Sequence, residues 1–174
     1  MKKVGIFYGP AGGRTESVAK RISQLLGSEN NQLISLDNAG KDDINEYENI
    51  IFGIATIGKE TWDAESLEGG WFDFMPLLEN VDLQGKKIAL YGLGDHVRWP
   101  KHFVDAMGQL YATIKGKGID TIGKVSPDDY TFDESEALID DMFVGLPVDE
   151  DFEPGLTDLR IKDWVDEIKK QFND

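Results

Sequence analysis

The 174-residue sequence predicts an α/β fold: a three-layer, doubly wound, five-stranded parallel sheet in the order 2-1-3-4-5. Three observations predict it. Short apolar runs alternate along the chain with amphipathic stretches of helical period. Several of these runs are apolar at successive positions, as strands covered by helices on both faces must be. No repeat, low-complexity stretch or linker divides the chain, so a single domain over 1–174 is expected, long enough for one good core.

The first strand is expected at Val4 to Tyr8. A helix follows in which Val18, Ile22, Leu25 and Leu26 share a face and Gly27 stands at the C-cap. Leu33 to Leu36 and Ile50 to Ala55 read as the second and third strands, and residues 65–80 as a helix with Pro76 inside it. The fourth strand is Ile88 to Tyr91. Behind it Phe103, Met107, Leu110, Tyr111 and Ile114 form a helical stripe closed by Gly116 and Gly118. Thr121 to Val125 reads as the fifth strand, and Ile161, Trp164, Val165, Ile168 and Phe172 as the last helical face. Residues 125–156 break the alternation. Their many acids, Pro127, Pro147, Pro154 and the apolar run Met142 to Leu146 mark an insertion that leaves the edge strand and returns to it.

Composition excludes several chemistries. Without cysteine there is no disulfide, catalytic thiol or thiolate-held metal. The formal charge is −15, and residues 120–174 hold 17 acidic against 5 basic side chains, a net of −12. Such a surface repels phosphate backbones and anionic membranes, and it either favours a basic protein partner or serves solubility alone. The opening Met1 to Gly9 has an apolar run too short for a signal peptide, and no stretch spans a membrane, so a cytoplasmic protein is expected. Two histidines, His96 and His102, are too few for a convincing metal centre without a carboxylate partner.

In an open parallel sheet, ligands bind beyond the carboxyl ends of the strands where the order reverses. The loops at that crevice are 9–15, 55–63 and 92–102. Gly9, Pro10, Ala11, Gly12, Gly13, Arg14 and Thr15 join a strand to a helix start, where backbone N–H groups and the helix dipole attract an anion. Such a turn also serves as a plain tight connection. The triphosphatase pattern G-x-x-x-x-G-K-[ST] is not met, since Tyr8 and Arg14 stand where Gly and Lys belong. Ile57 and Trp99 on the other two loops suit a flat ring system or simply cap the core. Acid–base machinery is not evident, so a bound cofactor would have to carry any chemistry.

These residues resemble the long-chain flavodoxins. The resemblance rests on Ile6-Phe7-Tyr8, on Gly9 to Thr15, on Val18-Ala19 with Ile22, and on Gly92-Leu93-Gly94-Asp95. It extends through Phe143 to Leu146, Asp149 to Asp151, Leu156 to Asp158, Arg160-Ile161 and Trp164, covering residues 2 to about 172. It implies a flavodoxin-like fold and a monomer carrying one electron at a time at low potential on non-covalent FMN, between a basic-faced reductase and acceptor proteins. Gly9 to Thr15 would hold the phosphate. Ala55, Thr56, Ile57 and Gly58 would line one side of the isoalloxazine, and Gly58 would let its peptide turn toward the ring. Trp99 falls where the family places a stacking Tyr, and Leu93, Gly94, Asp95, His102 and Asp105 would approach the pyrimidine end. Three positions depart from the pattern. Pro10 and Gly12 replace hydroxyl residues, Ala55 replaces a Pro, and Ile57 replaces an aromatic or Leu, with Trp62 placed to fold back. A flavin-dependent quinone or NAD(P)H oxidoreductase and a flavin-free binding protein are the alternatives.

Overall fold

Three central strands alternate their side chains between two apolar layers, and that alternation builds the molecule. In a computed structural model describing residues 2–55 and 70–174, β1 (Val4–Gly9) is buried along its whole length. Val4, Ile6 and Tyr8 face one layer and Phe7 the other, as a period of two requires. α1 (Arg14–Leu26) lays Val18, Ala19, Ile22 and Leu26 on the first layer. Leu25 departs from expectation: it flanks that stripe in the last turn and is 40% exposed. β2 (Asn31–Ser35) starts two residues before the apolar run, because the Asn31 side-chain amide donates to Ser23 and Gly27 carbonyls at 3.0 and 2.7 Å and so anchors the strand to α1. A five-residue α2 (Lys41–Asn45) leads to β3 (Asn49–Ala55).

The helix expected over 65–80 is α3 (Trp71–Glu79) where described, with Pro76 inside it. It packs Phe74 and Leu78 on the second layer. β4 (Lys87–Leu93) and α4 (Asp105–Gly116) follow, and Met107, Leu110 and Ile114 complete that layer. Each of the two layers is a hydrophobic stripe buried on one sheet face, the arrangement that makes parallel sheets stable.

The fifth strand is split, and here the structure corrects the expected Thr121 to Val125. β5 holds only Thr121–Ile122, which pairs with Ile88 and Ala89 of β4. Val125 pairs instead with Phe143, exchanging both backbone hydrogen bonds at 3.0 and 2.8 Å. Beyond it β6 (Leu138–Ile139) and β7 (Met142–Phe143) form a small antiparallel ribbon. The chain then re-enters the sheet as β8 (Leu146–Val148), whose residues pair with Tyr91, Gly92 and Leu93. The excursion therefore occupies 123–145. It ends short of the expected residue 156 because Leu146 to Val148 belong to the sheet. The Thr121 hydroxyl donates to the Val144 carbonyl at 2.8 Å and sews the two halves of the edge together. The sheet runs β2-β1-β3-β4-β5 with β8 beside β4, so the predicted order holds. α5 (Pro154–Asn173) closes the first layer with Ile161, Trp164, Val165 and Ile168.

Candidate functional site

The carboxyl ends of β1, β3, β4 and β8 all open on one cleft of about 290 Å³. Its lining is Pro10, Arg14 and Thr15 from the first loop, Ala55 from the end of β3, and Leu93, Gly94, Asp95, Arg98 and Trp99 after β4. Glu150 and Asp151 after β8 complete it. Two of the three loops expected at the crevice thus meet there. Of the second, Ala55 lines the cleft, while Thr56, Ile57, Gly58 and Trp62 lie outside the described residues.

The first loop delivers a helix start. Gly9 ends β1, and Pro10, Ala11, Gly12 and Gly13 make an exposed turn. Gly12 sits at φ +77°, a left-handed conformation in which a β-carbon is strained, which is a local reason for Gly where a hydroxyl residue was anticipated. No side chain among the described residues caps α1, so its first N–H groups stay available at the positive end of the dipole. Thr15 is 2% exposed, and its carbonyl accepts the buried Tyr91 hydroxyl at 2.8 Å, which ties the helix start to the middle of the sheet. Arg14 leads the helix and pairs with Asp151. That hydrogen bond and the added charge of Asp151 push the guanidinium pKa up. The Gly12 N–H donates to Glu16 Oε2 at 2.6 Å.

The third loop is set by two carboxylates. Asp95 Oδ1 accepts the Val97 and Arg98 N–H groups at 3.0 and 2.8 Å, and its other oxygen takes Arg98 Nε at 2.7 Å. Gly94 donates to the Val148 carbonyl at 2.9 Å, locking this loop to the returning strand. Asp149, fully buried, accepts N–H groups from His96, Asp151 and Phe152 at 3.1, 3.0 and 2.9 Å and meets the His96 ring nitrogen. Burial raises its pKa, but the hydrogen bonds outweigh burial and hold it below the ordinary carboxylate value. Trp99 is 38% exposed at the rim.

His102 and Asp105 fall outside the cleft lining. They pair with each other at 2.9 Å, and Asp105 Oδ1 accepts the Glu136 N–H at 2.8 Å, so this pair fastens the excursion to α4. Among the described residues, His96, Asp149 and Glu153 bring three possible metal ligands within 4.8 Å. Asp149 is saturated by N–H donors and Glu153 is held by Arg160 at 2.8 Å, so the group reads as a staple between loops.

Sequence reasoning missed Arg98, Glu150 and Asp151 as cleft residues. The available signal was that acids follow an apolar run, Phe143 to Val148, that rejoins the sheet edge.

Comparison with known proteins agrees with this architecture. The family model described as Flavodoxin matches residues 6–164. A flavodoxin of Synechocystis sp. is 41% identical over 97% of each chain, and one of Buchnera aphidicola is 37% identical over 99% of each. The crystal structure of a Fusobacterium nucleatum flavodoxin bound to flavin mononucleotide is 30% identical and superposes with a TM-score of 0.86, covering 98% of this chain and 99% of that one. The match runs through both halves of the split edge strand and all the loops around the cleft, and the chain belongs to the flavodoxin family.

Proposed function

We propose that this protein carries electrons one at a time on a non-covalently bound FMN, held in the cleft between the α1 start and Trp99. The observation that carries the reading is the uncapped N-terminus of α1, with Arg14 and Thr15, facing the same cleft as an exposed aromatic ring. The fit is chemical: N–H donors, a guanidinium and a hydroxyl suit a phosphate, and an indole suits a flat tricyclic ring. The FMN-bound relative with the same fold supports it. When bound, FMN supplies reversible uptake of single electrons; the protein supplies binding, orientation and field.

On this reading the backbone N–H groups of Ala11 to Thr15 orient the phosphate, because Pro10 has no N–H to offer. Trp99 covers one ring face, and Thr56, Ile57 and Gly58 are assigned to the other. Leu93, Gly94 and Asp95 border the ring edge. Among the described residues, three acids, Asp95, Glu150 and Asp151, against two bases, Arg14 and Arg98, line the cleft. This wall gives no net positive charge to stabilise an added electron, which keeps the potential low. The electron partners are proteins with basic faces, the carrier is a monomer, and its place is the cytoplasm. No helix among the described residues is long and apolar enough to cross a membrane.

Visible absorbance of the purified protein, then calorimetric titration of the flavin-stripped chain with FMN and riboflavin, tests the reading. FMN should bind far more tightly than riboflavin, and Arg14→Ala should narrow that difference by about 1.5–3 kcal/mol. Equal affinities would overturn phosphate recognition by this loop.

A further inference from the structure

Two polar groups of the phosphate loop are already in the grip of the chain's own carboxylates. Arg14 is paired with Asp151 across the cleft, and the Gly12 N–H is taken by Glu16, which Lys20 holds in turn at 2.7 Å. The Asp151 contact is the more telling of the two, because it joins residues 137 positions apart and crosses the space a phosphorylated ligand would enter.

We infer that Asp151 is a specificity-determining residue that competes with the ligand phosphate for Arg14, and so sets how strongly this protein distinguishes FMN from its unphosphorylated counterpart. The inference rests on the FMN reading above.

Four features support it. Asp151 is held in place: its own N–H donates to Asp149 Oδ1 at 3.0 Å, and Asp149 is fully buried. The residue is therefore presented by a turn whose backbone is anchored to a buried carboxylate. Arg14 is the more exposed partner, with a side chain 57% exposed on the first residue of α1, against 29% for Asp151. Arg98 Nη2 also lies 3.6 Å from the same Asp151 oxygen while its Nε holds Asp95. One carboxylate thus gathers two cations from two loops. Finally, a carboxylate and a phosphate are rival acceptors for the same planar guanidinium fork, and it cannot serve both at full strength.

The consequence has a direction. Phosphate arriving at the α1 start must draw Arg14 from Asp151 and also meets that acid's negative charge. Removing the acid releases Arg14 and ends the repulsion. Exposed ion pairs of this kind have small coupling energies, so the affinity ratio of FMN to riboflavin should rise roughly threefold to tenfold in Asp151→Asn. Asn keeps the side-chain size and the backbone N–H that closes the turn.

Calorimetric titrations with FMN and riboflavin on four proteins decide it: the parent, Asp151→Asn, Arg14→Ala and the double variant. Circular dichroism verifies each fold before titration. The expected result is a higher FMN-to-riboflavin ratio in Asp151→Asn and at most half of that gain when Arg14 is already Ala, since the competition then has no object. A ratio unchanged or lowered by Asp151→Asn would overturn the inference and make Asp151 a positioner of Arg14. A gain as large in the Arg14→Ala background would overturn it too, because Asp151 would then act by charge alone. A parent protein with no preference for FMN would instead overturn the phosphate reading itself, a result separable from the other two.

Discussion

Asp149 shows how much one buried carboxylate can organise. Three N–H groups and an imidazole converge on it, so loops 94–99 and 149–153 are fixed by the same side chain. Its pKa in the folded protein lies below the ordinary 3.8, so the ionised form contributes stability above that value. As pH falls through the depressed folded pKa, that contribution is lost. Urea midpoints followed from about pH 5 down through 3.8 and below should therefore fall less steeply for Asp149→Asn than for the parent, although the variant starts from a lower midpoint. Parallel slopes would show that other carboxylates govern acid unfolding. Tyr91 acts in the same way on the other side of the cleft. Tyr91→Phe leaves the Thr15 carbonyl without its buried hydroxyl donor, and denaturant unfolding should show a loss of about 1 kcal/mol. None of this was legible in the sequence. Gly9 to Thr15 announced a helix start by composition, whereas the partners of Asp149 and Tyr91 are set by long-range pairing that periodicity does not encode.

The elements themselves were largely written in period two and period 3.6. Strands β1, β3 and β4 stood out because both faces are buried, and α4 and α5 because their stripes recur at helical spacing. β5 misled: Thr121, Ile122 and Val125 are β-branched and suit a strand, but Gly123 at φ +70° turns the chain and Val125 is claimed by Phe143 of the excursion. Close approach explains how that excursion is seated. A β-carbon on Gly108 of α4 would lie 2.4 Å from the Glu136 backbone, so only Gly lets the two segments touch. Gly108→Ala should force them apart at a cost of roughly 1–3 kcal/mol and speed proteolysis within 123–145. An unchanged denaturation midpoint together with unchanged cleavage would refute this packing role. Arg160 clamps the other flank: its guanidinium lies 4.0 Å over the Tyr130 ring, pairs with Glu153 and donates to the Asp129 carbonyl at 2.9 Å. Arg160→Ala should loosen the same region, read by the same two measurements.

At the scale of the whole molecule, charge and topology act together. All seven acids of 123–145 are exposed, and Asp151 and Asp158 continue the negative surface past the cleft rim. Electron delivery from a basic reductase should slow as salt rises from about 0.01 to 0.1 M, where the screening length shrinks from about 30 to 10 Å. A rate flat across that range would rule out steering by this surface. The split edge strand has a further consequence. Ile122 pairs beside Ala89 and Leu146 beside Tyr91, positions two apart on β4 and hence about 7 Å along the sheet. The chain departs and returns through a gateway about two strand residues wide. Ala137, Phe143 and Val144 of the excursion belong to the core, but extra residues at its exposed turn, Asp140-Asp141 between β6 and β7, have little leverage over the sheet, since doubling the length of a flexible loop costs only about 0.6 kcal/mol. This edge is thus a natural socket. A foreign peptide or small domain spliced between Asp140 and Asp141 would ride on an intact redox scaffold, with the core contacts of Ala137, Phe143 and Val144 left in place.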